Sequence, residues 1–199
     1  MEIDDEAIDA IRELINIGVG RAAGLLNDMT SRRIVLRVPS IRVIRYADLS
    51  EVTELYSREA LSTISLGFRG PLSGLSALVF PPQSAVSLVM LLTGEKVQTA
   101  ELDAIRVETL KEIGNIIINA VMGSIANVLE HHLVYSLPSY QEITLSGLAR
   151  SQENLPEEWI VLANTHFTIE ETDIEGNILL VLEVGSMDSL LAGIRRMNG

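Results

Sequence analysis

Two stretches of the chain carry an acidic residue, a Glu, an Asn and a Pro at the same spacing. The first is Asp9, Glu13, Asn16 and Pro39; the second is Glu108, Glu112, Asn115 and Pro138. In both, 22 residues separate the Asn from the Pro. A Glu one helical turn before an Asn has a definite chemistry. The carboxylate can accept a hydrogen bond from a partner's Lys, and the carboxamide offers both a donor and an acceptor. Such an amide can orient a water molecule, so that hydrolysis is promoted by positioning rather than by covalent chemistry. Neither stretch has a His base, a nucleophile or a metal-binding cluster beside it. The bond to be broken would therefore belong to another protein.

The elements that must position these side chains follow from periodicity. Apolar residues at helical spacing (Ile11, Leu14, Ile15, Gly18, Ala22, Leu25, Leu26, Met29) predict a helix over residues 5–29. Residues 34–38 read as a strand stopped by Pro39, and residues 61–68 and 74–80 as strands around the turn Arg69-Gly70-Pro71. Residues 82–93 read as a helix with Pro82 at its start and Gly94 at its end. The order then recurs. A long helix is expected over about 100–131, and strands near 140–146, 159–168 and 177–184. The last two strands are joined by a turn at Glu175-Gly176-Asn177, and a final helix spans about 186–197. The register of the repeat is an offset of 99: Asn16 against Asn115, Pro39 against Pro138, Phe68 against Phe167. Leu88 matches Leu190 at 102. The expected fold is α/β in the α+β sense. It is a duplicated helix–three strands–helix unit with pseudo-two-fold symmetry, a pooled β-sheet and long flanking helices. The halves, about 1–98 and 99–199, form one domain, since two repeats are too few for a solenoid.

On a helical wheel with Asp9 at zero, Glu13 falls at about 40° and Asn16 at about 340°. The apolar set of that helix centres near 200°. Glu108, Glu112 and Asn115 form a like face opposite Leu110, Ile113, Ile117, Val121 and Val128. Each polar face should point away from the core. An exposed acidic helix face is commonplace and usually means only solvation. Asn, however, is a poor residue in the middle of a helix, by about half a kcal/mol against Ala. It stands there twice, with acidic residues three and seven positions before it each time. Gly20, on the first polar face, would allow close approach of a partner. Asn119 holds the matching place in the second copy.

Composition bounds the remaining possibilities. The 199 residues carry a formal net charge of −12 and no cysteine. Nucleic-acid binding and docking on an anionic membrane are disfavoured, because both need Lys and Arg against phosphates. An arginine-rich stretch is nonetheless present, Arg12, Arg21, Arg32, Arg33, Arg37, Arg42 and Arg45. Disulfides and thiol chemistry are excluded. The start Met1-Glu2-Ile3-Asp4-Asp5-Glu6 is the reverse of a signal peptide. No apolar run reaches the length of a membrane span, so a soluble cytoplasmic protein is expected. Gly18-Val19-Gly20-Arg21-Ala22-Ala23 fits a dinucleotide fingerprint by letters, but it lies inside a helix, where close packing explains small residues better. His131-His132 ends the long helix, where a cation suits the dipole.

The doubled pattern, Asp/Ser-x3-Glu-x2-Asn-x22-Pro, resembles the signature of the CheC/CheX/FliY phosphatases of bacterial and archaeal chemotaxis. The string Asn16-Ile17-Gly18-Val19-Gly20-Arg21-Ala22-Ala23 is also similar. Two motifs in one chain, with no extra domain, resemble the CheC branch most. The second copy departs from the signature at Glu108, where Asp or Ser is usual. The resemblance implies hydrolysis of the aspartyl phosphate of the response regulator CheY. Glu13 and Glu112 would pair with the regulator's Lys, and Asn16 and Asn115 would orient the attacking water. Asp9, Gly20, Pro39, Glu108, Asn119 and Pro138 would shape the docking surface. No cofactor is implied in this chain; Mg2+ would belong to the phosphorylated regulator. The resemblance further implies the receptor deamidase CheD as a partner, bound through the helix at 82–93. The competing expectation is a non-catalytic adaptor that binds CheD or phosphorylated CheY, with a flagellar-switch role as a third.

Overall fold

The structure is a computed structural model that describes residues 3–48, 59–94, 102–130, 132–150, 159–169, 171–183 and 185–198. Helix α1 (Asp5–Thr30) starts at Asp4, whose side chain accepts from the Ala7 N–H at 2.9 Å. Helix α3 (Ala104–Leu129) starts at Asp103, which accepts from the Arg106 N–H at 2.9 Å. Each cap satisfies an N–H that the helix cannot. Both helices end on a non-glycine residue in the left-handed region, Ser31 at φ 54° and Glu130 at φ 56°. Asp4 and Asp103, and Ser31 and Glu130, stand 99 residues apart. The duplication therefore extends to the caps.

The strands are β1 (Ile34–Arg45), β2 (Leu61–Arg69), β3 (Gly74–Phe80), β4 (Val134–Tyr135), β5 (Ser139–Ile143), β6 (Trp159–Ile169) and β7 (Thr172–Leu182). All pairings are antiparallel, in the order β1-β6-β7-β3-β2-β4, with β5 also on β2. Strand β1 of the first half thus pairs with β6 of the second. Strands β4 and β5 of the second half pair with β2 of the first. The halves exchange their leading strands, and the sheet they form is single. The expected α+β fold with a pooled sheet is what the chain adopts.

Helices α1, α2 (Pro82–Thr93), α3 and α5 (Ser186–Asn198) share the main core with one face of the sheet. On the other face Leu145 and Leu148 of the short helix α4 (Leu145–Arg150) pack with Leu61, Leu75, Ile160 and Val181. A Cβ on Gly18 would collide with the Val121 backbone, so this glycine lets α1 and α3 touch. That is the close packing expected of the glycine-rich string. Helix α3 is long and apolar enough to cross a membrane by length and composition. Its apolar side, Leu110, Ile113, Ile117, Val121 and Val128, is buried in the core.

Four expectations need correction. Strand β1 does not stop at Pro39 but runs on to Arg45 through a bulge. The strand expected near 140–146 ends at Ile143, and α4 follows. Glu175-Gly176-Asn177 is no turn; it lies inside β7, and the chain reverses between the paired Ile169 and Thr172. Gly176 is there for packing, since a Cβ would strike the Phe80 ring. That ring packs on Phe167 at 5.1 Å between centroids. Finally, Leu25 and Met29 are not core; they are 52% and 62% exposed. The last buried residue of α1 is Leu26, so its final turn has nothing to pack on.

Candidate functional site

In the first copy, Asp9 and Glu13 stand exposed on α1, as the wheel requires. Asp9 is held by Arg12 at 2.9 Å, one turn along. Asn16 does not face solvent freely; it is half-buried and its amide lies on β1. Nδ2 donates to the Val38 carbonyl at 3.0 Å and to the Arg12 carbonyl at 3.2 Å. Oδ1 accepts from the Val38 N–H at 2.9 Å. Because the backbone offers one donor and one acceptor, the amide orientation is fixed.

The bulge explains why a Pro follows at that distance. Arg37 pairs with His166 and Ser40 with Asn164, so Val38 and Pro39 stand together against Thr165. An extra residue in one strand leaves backbone groups unpaired. Asn16 takes both groups of Val38, and Pro39 has no N–H to leave over. The residue before a Pro is also biased to extended backbone. The spacing therefore has an internal structural reason as well as any role in docking.

The second copy differs. Glu108 and Glu112 are exposed, and Glu108 is held by Lys111 at 3.0 Å. Asn115 is half-buried, but its Oδ1 accepts from Asn119 Nδ2 at 2.8 Å. No strand holds it. The counterpart of Val38 is Leu137, which is 88% exposed, whereas Val38 is 2% exposed. The strand is interrupted there, and Pro138 lies between β4 and β5. Ser136 is drawn to β2 instead: its N–H donates to the Gly67 carbonyl, and its Oγ accepts from the Gly67 N–H, both at 2.9 Å. Nδ2 of Asn115 is left without a partner among the described residues.

Residue types alone did not reveal the Val38 clasp, the Ser136 anchor or the bond from Asn119. The offset of 99 also pairs Arg12 with Lys111 and Gly24 with Gly123. A Cβ at Gly20, Gly24 or Gly123 would meet nothing within 4 Å. Core packing does not require these glycines. Gly24→Ala and Gly123→Ala are each expected to raise stability by about 0.5–1 kcal/mol, read from the urea midpoint. His132 is exposed, while His131 lies outside the described residues. Among the described residues no three His, Cys, Asp or Glu side chains come together as a metal site.

No family model matches the chain. Over 141 residues it is 24% identical to the CheY-P phosphatase CheC of Bacillus subtilis. The match covers 68% of this chain and 66% of that protein. The chain is thus similar in sequence to a CheC protein over about two thirds of its length. Its fold is also that of Thermotoga maritima FliY, with a TM-score of 0.77 at 22% identity, over 98% of this chain and 99% of that one. The middle domain of Helicobacter pylori FliM superposes with a TM-score of 0.70 at 12% identity, over 96% and 99% of the two chains. The FliY and FliM likenesses are of fold.

Proposed function

We propose that this chain hydrolyses the aspartyl phosphate of a CheY-type response regulator. The reading is carried by one observation, the Glu–Asn pair repeated on two equivalent helices with its Glu exposed each time. Glu112 pairs with the Lys beside the phosphorylated Asp and aligns the two proteins. Asn115 directs a water molecule at phosphorus. The water oxygen bonds to phosphorus as the bond to the aspartyl oxygen breaks. Inorganic phosphate and a free carboxylate result, and the water's proton leaves with the phosphate or solvent. Transfer of this kind depends on placement rather than on a nucleophile from the chain. Mg2+ sits with the regulator, and the reaction runs in the cytoplasm. Glu13 and Asn16 can act alike only if Asn16 releases Val38.

The test is phosphate release from a phosphorylated CheY-type receiver domain. The Asn16→Ala, Asn115→Ala double variant is expected to add nothing to the regulator's own rate. Full acceleration by the double variant would sink the proposal.

The second reading is an adaptor without turnover. It is favoured by the clasp on Asn16 and by the likeness of fold to FliM. It predicts stable binding of phosphorylated CheY or of CheD, the latter through α2, with no faster loss of phosphate. Binding and release followed in one time course separate the two readings.

A further inference from the structure

We propose that Asn119 is the positioning residue of the second site, holding the Asn115 amide through the 2.8 Å bond from its Nδ2. The inference rests on the phosphatase reading above and deepens it. An amide that must place a water cannot be left to rotate, and the terminal torsion of Asn is broad and roughly two-fold. In the first half the backbone of Val38 fixes it through both polar groups. In the second half that support is gone, because Leu137 has swung out to 88% exposure. A donor one turn further along the same helix is the nearest replacement, since residues four apart are neighbours on the surface. Asn119 stands there, where the first half has Gly20.

The two arrangements are alternatives. Where the strand holds the amide, position 20 carries no side chain. Where the strand has left, position 119 carries a carboxamide. Helix propensity does not explain the choice, because Asn is poorer than Ala by about half a kcal/mol. The consequence is chemical. The clasp on Asn16 takes Oδ1 and directs Nδ2 to two carbonyls. The bond from Asn119 takes one lone pair of Asn115 Oδ1 and leaves its Nδ2 unpartnered among the described residues. Asn119 thus fixes the amide while keeping its donors for the reaction.

The experiment uses the full chain and a CheY-type receiver domain charged with a small phosphodonor. Asn119→Ala is expected to lower kcat about 10-fold, with KM within about two-fold, because misplacement acts on the reacting geometry. The urea midpoint should stay that of the parent. Asn119→Gln, which keeps the amide donor, is expected to recover most of the loss. An unchanged kcat for Asn119→Ala overturns the proposal. So does a rise in KM that accounts for the whole effect, which would make Asn119 a docking contact. A loss of rate matched by a fall in the urea midpoint overturns it too, by making the role structural. Asn115→Ala is measured alongside. If that variant keeps the parent rate, the phosphatase reading of the site fails. If it is inactive while Asn119→Ala is normal, only the positioning role fails.

Discussion

Asn16→Ala is expected to lower the free energy of unfolding by about 2–6 kcal/mol, from two backbone groups left unsatisfied at roughly 1–3 kcal/mol each. Those groups are the N–H and carbonyl of Val38, a residue in the core. The equivalent Asn115→Ala should leave stability nearly unchanged, because among the described residues Asn115 bonds only to another side chain on its own helix. Urea denaturation of both variants checks the contrast, and the slope should not change between them. Asn16→Asp sharpens it. The carboxylate keeps the acceptor for the Val38 N–H but offers no donor to its carbonyl, so an intermediate loss is expected. Equal stability for the two alanine variants would mean that the clasp contributes nothing in solution.

The mirror-image result is expected for catalysis. Asn115→Ala should reduce the accelerated loss of phosphate by about 10²-fold, the scale seen when a donor aimed at a reacting oxygen is removed. Asn16→Ala, measured below its unfolding range, should reduce it far less, because Asn16 is engaged by Val38 and Arg12. Single-turnover decay of the phosphorylated receiver domain, with chain in excess, reads this step without product release. A larger loss from Asn16→Ala than from Asn115→Ala would reverse the assignment. It would also mean that the clasp opens on the partner.

Much of this was legible in the residues. The 3.6-residue period located α1 and α3 because each buries one continuous stripe. The offset of 99 located both Glu–Asn pairs. What could not be read was how each amide is held. That depends on a bulge in β1, and a bulge is a relation between two strands 114 or more residues apart, as in Arg45 against Trp159. Pro39 looked like a strand end because it lacks an N–H; in the fold, the bulge is where that lack costs nothing. Gly176 looked like a turn because glycine tolerates unusual backbone. Its actual reason is the Phe80 ring, which local pattern does not contain. Leu25 and Met29 kept the apolar period of α1 but outran the surface it packs on. In each case the local rule was obeyed, and a distant partner decided the outcome.

The exchange of leading strands also fixes the order in which the molecule can be assembled. Strand β1 cannot begin to pair with β6 until the chain has been made to Trp159, the partner of Arg45, and the pairing is complete only at Ile169, the partner of Ile34 across 135 residues. Contacts so distant in sequence close slowly, since a long loop must be ordered before they form. During synthesis the first hundred residues therefore carry an edge with no neighbour, and an unpaired edge is a template for misassembly. The bonds between Asn16 and Val38 span only 22 residues. They can form as soon as α1 and β1 exist, and they tie the waiting strand to its helix. The second half has no such delay, because β2 is already made when β4 and β5 emerge.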